Sequence, residues 1–131
     1  MEQFEGGLTP AECWSLLSGE TVGRVALSIR ALPAILPVRY AIDGRSVRIH
    51  LESPGLSPVS VQDAVVAFAV DEIDNRTGAG WTVQVQGRVR MVPGPPPLDG
   101  TGSGDVGPMG TLEPGTVTGH RFTLHPSAVI F

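Results

Sequence analysis

The charge chemistry of this sequence rests on arginine: all nine basic residues are arginine, and there is no lysine. That removes the phosphate-binding lysine of P-loops, and with it Schiff-base chemistry and the pyridoxal enzymes that depend on a lysine. The three histidines, His50, His120 and His125, lack the spacing of metal ligands, and no metal site is expected. Cys13 is the sole cysteine, which excludes an internal disulfide and any multi-cysteine metal centre. Asp71-Glu72-Ile73-Asp74 is an acidic cluster that reads as a solvated turn. No GxSxG, HExxH or Walker pattern is present, no serine is singled out as a nucleophile, and no catalytic residue is assigned.

These side chains sit in a chain of 131 residues, a length that suits one domain with a sizeable core. Only 5% of it is aromatic, so branched aliphatic residues must fill that core. The net charge of −4, the missing lysines and the scarce aromatics argue against nucleic acid as a partner. The charge is unevenly spread: residues 21–92 hold eight arginines against six acids, whereas 1–20 and 93–119 carry acids alone. The middle of the chain therefore suits a small anionic ligand. No apolar run approaches the roughly 20 residues of a membrane helix, and Met1 to Gly7 has no signal-peptide layout. A soluble, cytoplasmic protein without membrane contact is expected.

The positioning elements follow from periodicity. Thr9-Pro10-Ala11-Glu12 is a capping box with proline at the first helical position, Leu8 is placed to staple against Cys13, and Gly19 is placed to end the helix. Cys13, Trp14, Leu16 and Leu17 form its apolar stripe, so Cys13 and Trp14 read as packing. Val22 to Ile29 and Ala34 to Ile42 read as strands, with Pro33 and Pro37 limiting their ladders. Asp43-Gly44 signals a hairpin into Arg45 to Leu51, where Val47, Ile49 and Leu51 alternate with Ser46, Arg48 and His50. Ser53 to Pro58 reads as a loop, followed by a brief helical turn ending near Asp63. Ala64 to Val70 reads as a central strand, Asp71 to Gly80 as a turn, and Trp81 to Val92 as a long alternating strand. Gly87 marks a bulge or a close backbone approach within it. Residues 93–115 hold 13 of the chain's 29 glycines and prolines and read as a flexible loop. Thr116 to Pro126 resumes a strand, and the apolar end Val129-Ile130-Phe131 is expected to dock. The expected fold is mainly β: a single six-stranded antiparallel barrel over residues 1–131 with a short N-terminal helix at its mouth.

The order of these segments resembles the pyridoxamine 5′-phosphate oxidase-like family, the FMN-binding split barrels with Greek-key topology, and especially its small actinobacterial-type members. Leu8 to Leu17 is similar to their opening helix and Val22 to Ala26 to their first barrel strand. Pro37-Val38-Arg39-Tyr40 is similar to a Pro-Val-Asn-Tyr motif, and Val66 to Asp71 to the following core strand. Gly80-Trp81-Thr82-Val83, closing with Gln86-Gly87-Arg88-Val89, is the most specific stretch, and Arg121 to Val129 is similar to the last strand. The resemblance implies a homodimer with flavin sites at the subunit interface. It places the ring along Pro37, Val38, Arg39 and Tyr40, near Trp81 and Thr82, and implies hydride transfer by FMN or a deazaflavin.

The phosphate end departs from the family pattern. Many relatives carry an Arg-Thr pair and, after a glycine, a lysine that cradle the FMN phosphate. Aligned on Pro54-Gly55, those positions are Leu51, Glu52 and Ser57. Three charge-assisted contacts at about 1.5–3 kcal/mol each would be lost, a large share of the roughly 8 kcal/mol of micromolar binding. FMN is expected to bind poorly unless Arg39, Arg48, Arg88 or Arg90 compensates, and Arg39 is the first choice for a ligand contact. Arg88 and Arg90 read as a wet outer face, Arg45 as solvated, and His50 receives no role. Two functions follow: a flavin-dependent oxidoreductase with a modified phosphate site, or a flavin-free binding or regulatory module that kept the barrel.

Overall fold

A computed structural model describes residues 2–51, 61–92 and 109–126. The helix α1 spans Pro10–Ser18 and is set by the residues that the sequence marks. Thr9 caps it: the Glu12 N–H donates to Thr9 Oγ1 at 3.1 Å, and the Thr9 N–H donates to Glu12 Oε1 at 2.9 Å. That reciprocal pair satisfies two donors that the first turn leaves open. Gly19 closes the helix with ordinary right-handed backbone (φ −86°). Cys13 and Leu17 are buried, and Trp14 and Leu16 pack against them from the margin.

Seven strands follow or flank this helix: β1 Glu2–Gly7, β2 Val22–Ile29, β3 Leu32–Asp43, β4 Ser46–His50, β5 Val65–Ile73, β6 Ala79–Val92 and β7 Met109–Leu124. All pairings are antiparallel. The sheet order β1-β7-β4-β3-β2-β5-β6 closes through a further β6–β7 pairing, so β2 to β7 form a six-stranded ring. β2, β3 and β4 are successive hairpin strands, and β5 returns beside β2, the Greek-key order. The fold is the split barrel expected from sequence. The ring is the expected six strands, and β1 is an addition, pairing with the C-terminal half of β7 (Glu2↔Leu124 to Gly7↔His120).

The core lies inside the ring. Val25, Leu27, Val38, Tyr40, Val47, Ile49, Leu51, Val66, Phe68, Val70, Val83, Val85, Val89 and Leu112 alternate with outward residues along their strands and are buried. Gly23 belongs to this inner face because a Cβ there would meet the Phe68 ring at 2.6 Å. Gly44 takes φ 65° in the two-residue β3–β4 turn, as the Asp-Gly signal foretells. The expected irregularity at Gly87 is present: the β6–β7 register shifts between Gln86 and Gly87, and a Cβ on Gly87 would overlap the Glu113 carbonyl oxygen. Pro33 and Pro37 stand opposite Ser28 and Arg24 of β2, N-terminal to the Arg39–Asp43 stretch that pairs with β4.

Several boundaries differ from the sequence reading, among them the start of β6 at Ala79 rather than Trp81 and the end of β7 at Leu124 rather than Pro126. β5 continues through Asp71, Glu72 and Ile73, which pair with Thr82, Trp81 and Gly80, so only Asp74 of the acidic cluster lies in the turn. The ladder to β6 outweighs the poor strand propensity of the two acids, which stay exposed. β7 begins at Met109, so 109–115 belong to the sheet, where Gly110 and Leu112 are buried against β4 and β6. β3 starts at Leu32, two residues before the expected strand, completing a tight β2–β3 hairpin through Arg30 and Ala31. The expected loop at 53–58, the remainder of the 93–115 loop and the docked terminus 129–131 fall outside the described residues.

Candidate functional site

The strand Pro37-Val38-Arg39-Tyr40 divides its side chains between the two faces of the sheet. Tyr40 faces inward. Its ring meets Phe68 edge-on at 4.9 Å, and its hydroxyl donates to the Leu17 carbonyl at 2.5 Å, pinning β3 to the end of α1. Burial, with the Glu20 charge adding to it, pushes the phenol up to about 12. Val38 is buried as well, while Pro37 and Arg39 are exposed on the outer face.

The ladders extend that outer face sideways. Arg39 stands opposite His50 on β4 and opposite Val22 on β2, and Pro37 stands opposite Arg24, which in turn faces Ala69 on β5. Two adjoining cavities lie here. One, of about 200 Å³, is lined by Val22, Pro37, Val38, Arg39 and His50. The other, of about 150 Å³, is lined by Val22, Gly23, Arg24, Pro37, Ala69, Val70 and Asp71. Sharing Val22 and Pro37, they form one groove with an apolar floor, arginines along it and Asp71 at the far end.

The other candidates lie elsewhere on the barrel. Thr82 pairs with Asp71 on one side and His120 on the other, so it continues the outer face one strand beyond the groove. Trp81 precedes it on β6, is half-buried and packs against the core cluster. Successive strand residues face opposite ways, so Trp81 and Thr82 do not share a face. Leu51 is buried in the core, and Glu52 and Ser57 lie outside the described residues. Pro37, Val38 and Arg39 thus line one groove, and Tyr40, Leu51 and Trp81 lie against the core. Sequence reasoning set His50 on the outward face but gave it no role, read Asp71 as part of a solvated turn and did not single out Arg24, and all three line the groove. Alternation with Gly23 and Val25 and with Val70 puts Arg24 and Asp71 on the outer face as well.

Of the four arginines named as compensating cations, three have protein partners. Arg48 pairs with Asp43 at 2.9 Å. Arg88 donates to the Asp63 carbonyl at 2.8 Å. Arg90 pairs with Glu113 and approaches Asp63 at 3.9 Å. The side chain of Arg39, like that of Arg24, has no hydrogen-bond or ion-pair partner among the described residues. Among those residues no group of three His, Cys, Asp or Glu could hold a metal ion, and no helix is long and apolar enough to cross a membrane.

Comparison with known proteins matches most of the chain to a family. The family model described as pyridoxamine 5′-phosphate oxidase matches residues 9–96. An uncharacterised protein of Mycobacterium tuberculosis is 38% identical over 89 residues, covering 64% of this chain and 59% of its own length. The chain thus spans under two thirds of that relative. The structure is similar to that of an FAD-binding protein from Mycobacterium smegmatis, with a TM-score of 0.68 and 26% identity over 89% of this chain and 97% of that one. It also resembles an FAD-binding protein from Mesorhizobium loti, with a TM-score of 0.69 and 20% identity over 95% of this chain and 98% of the other. At that identity the second likeness speaks for the fold alone.

Proposed function

The chain belongs to the pyridoxamine 5′-phosphate oxidase family, and from that premise we propose that it is a cytoplasmic, homodimeric flavin-dependent oxidoreductase. The groove over β2, β3 and β5 carries this reading. Its floor of Val22 and Pro37 suits a planar apolar ring, and Arg39 and Arg24 suit an anionic tail. The residues present therefore fit a flavin phosphate. Bound there, FMN or a deazaflavin would supply hydride transfer, and the protein would supply orientation and exclusion of water.

A second copy would complete the enclosure. The outer face running on from the groove residues Val22 and Ala69 is apolar: Ile35 is 67% exposed and Val65 66%, with Ala26 and Ala67 between them. Contiguous apolar surface of this kind is what a subunit contact covers. With one wall supplied by the partner, an open groove becomes a closed pocket.

One specific observation favours a flavin-free binding module instead. Glu52 and Ser57 stand where relatives place phosphate-binding residues, and a carboxylate repels a phosphate. The visible absorption spectrum of the purified protein decides between the readings, followed by fluorescence titration with FMN, FAD and a deazaflavin. A flavin spectrum, or saturable quenching at micromolar ligand, is the expected result. A colourless protein that binds none of the three would overturn the enzyme reading in favour of the module.

A further inference from the structure

We propose that the groove over β2, β3 and β4 is a phosphoryl-binding site, in which Arg39 and Arg24 hold the anion and His50 adds an N–H donor. In the flavin reading, on which the identity of the natural ligand rests, the phosphate is then held on the sheet face by residues outside the 51–57 segment. Three observations carry this.

The first is register. Arg39 is directly opposite His50, and Arg24, opposite Pro37, is diagonal to Arg39 across the β2–β3 ladder. Directly opposed residues have Cβ atoms about 4.5–5.5 Å apart and diagonal ones about 7–8 Å. Two guanidinium groups on stems of that separation can converge on one phosphoryl group, each presenting a fork of parallel donors.

The second is charge. Like charges on neighbouring strands are unfavourable unless an anion lies between them. Elsewhere on the outer face the protein supplies that anion: Asp43 for Arg48, and Glu113 and Asp63 for Arg90. Among the described residues neither Arg39 nor Arg24 has an ion-pair partner, Asp71 sharing the far cavity with Arg24 without bridging to it. An anion added between these two guanidinium groups would offset their mutual repulsion.

The third is polarity along the groove. Asp71 lines the far cavity together with Arg24, whereas Arg39 and His50 line the near one. A carboxylate there disfavours a second anion and accepts a hydroxyl or ring N–H. The groove therefore selects a phosphate ester with its anionic head at β3–β4 and a donor-bearing body lying toward β5.

The test compares FMN with riboflavin, which lacks the phosphate, and uses inorganic pyrophosphate as a flavin-free probe in calorimetric titrations. The proteins are the full chain and its Arg39→Gln, Arg24→Gln and His50→Asn variants, with Arg76→Gln as a control on the remote β5–β6 turn. Circular dichroism checks that each is folded. FMN should bind at least tenfold tighter than riboflavin to the unaltered protein and to Arg76→Gln. In Arg39→Gln the ratio should fall to near unity with riboflavin affinity unchanged, and pyrophosphate should displace FMN but not riboflavin. An FMN-to-riboflavin ratio untouched by both arginine substitutions would overturn the site while leaving flavin binding standing. If neither flavin binds, the flavin reading fails. Pyrophosphate binding that is lost in Arg39→Gln then still upholds the anion site, and absence of pyrophosphate binding overturns that too.

Discussion

Tyr40 shows how one side chain can belong to a recognisable motif and yet serve the scaffold. Its hydroxyl reaches the Leu17 carbonyl, and its ring packs on Phe68. It is the only tyrosine, so phenolate absorbance in an alkaline titration reads it alone. Its folded pKa is raised to about 12, above the unfolded value near 10. The stability it contributes is therefore complete below about pH 10 and is lost as pH rises towards 12. The expected midpoint is about 12, or coincident with alkaline unfolding if that comes first. A midpoint near 10 in folded protein would contradict the buried placement. Tyr40→Phe should cost about 0.5–1.5 kcal/mol in urea unfolding, the net worth of one buried hydrogen bond. At this scale the sequence was half legible. It marked Pro37 to Tyr40 as a unit, but a motif does not say which of its alternating residues looks inward. His50 was given no role and Arg24 was not singled out, because nothing in their local sequence shows their cross-strand neighbours.

Elements were the most legible level wherever a local rule governed them. The capping box, the Asp-Gly hairpin and the Gly87 irregularity each follow from backbone geometry a few residues long, and each was read correctly. Thr9→Ala removes the acceptor of the Glu12 N–H and should cost about 1 kcal/mol, measured by urea unfolding. The Thr9 N–H also holds the Glu12 carboxyl below its ordinary range, so that stabilising share is present at neutral pH and fades as pH falls. Gly87→Ala is the sharper test. The added methyl would overlap the Glu113 carbonyl oxygen and approach the Gly115 nitrogen at 3.1 Å, both backbone atoms with little freedom to yield. A loss of about 1–3 kcal/mol is expected. Gly7→Ala, with nothing within 4 Å of its new methyl, should be near neutral. Equal effects would show that the bulge tolerates a side chain. The misread boundaries, at Asp71 to Ile73 and Met109 to Gly115, are places where non-local pairing overrode local composition. β1 had no periodicity to announce it and exists because β7 is long enough to offer it an edge.

For the whole molecule, the apolar outer face sets the expected assembly. Sedimentation equilibrium should give twice the 13.7 kDa chain mass. Ile35→Asp together with Val65→Asp should yield monomers that keep their far-ultraviolet dichroism, because both residues are exposed in the isolated chain. A protein already monomeric before substitution would remove the dimer from the proposal. Flavin affinity should fall with the dimer, since the groove loses its second wall. The ring itself carries a temporal consequence. β4 finds its outer neighbour only when Met109 to Leu112 arrive, and β1 pairs with residues at the opposite end of the chain. During synthesis, therefore, the first hairpins leave the ribosome with one edge open until the last strand emerges. Such wide sequence separations belong to the slow, millisecond-to-second class of folding reactions. For that interval the prolines at 33 and 37 stand on a stretch of β3 poorly suited to pairing with a stranger.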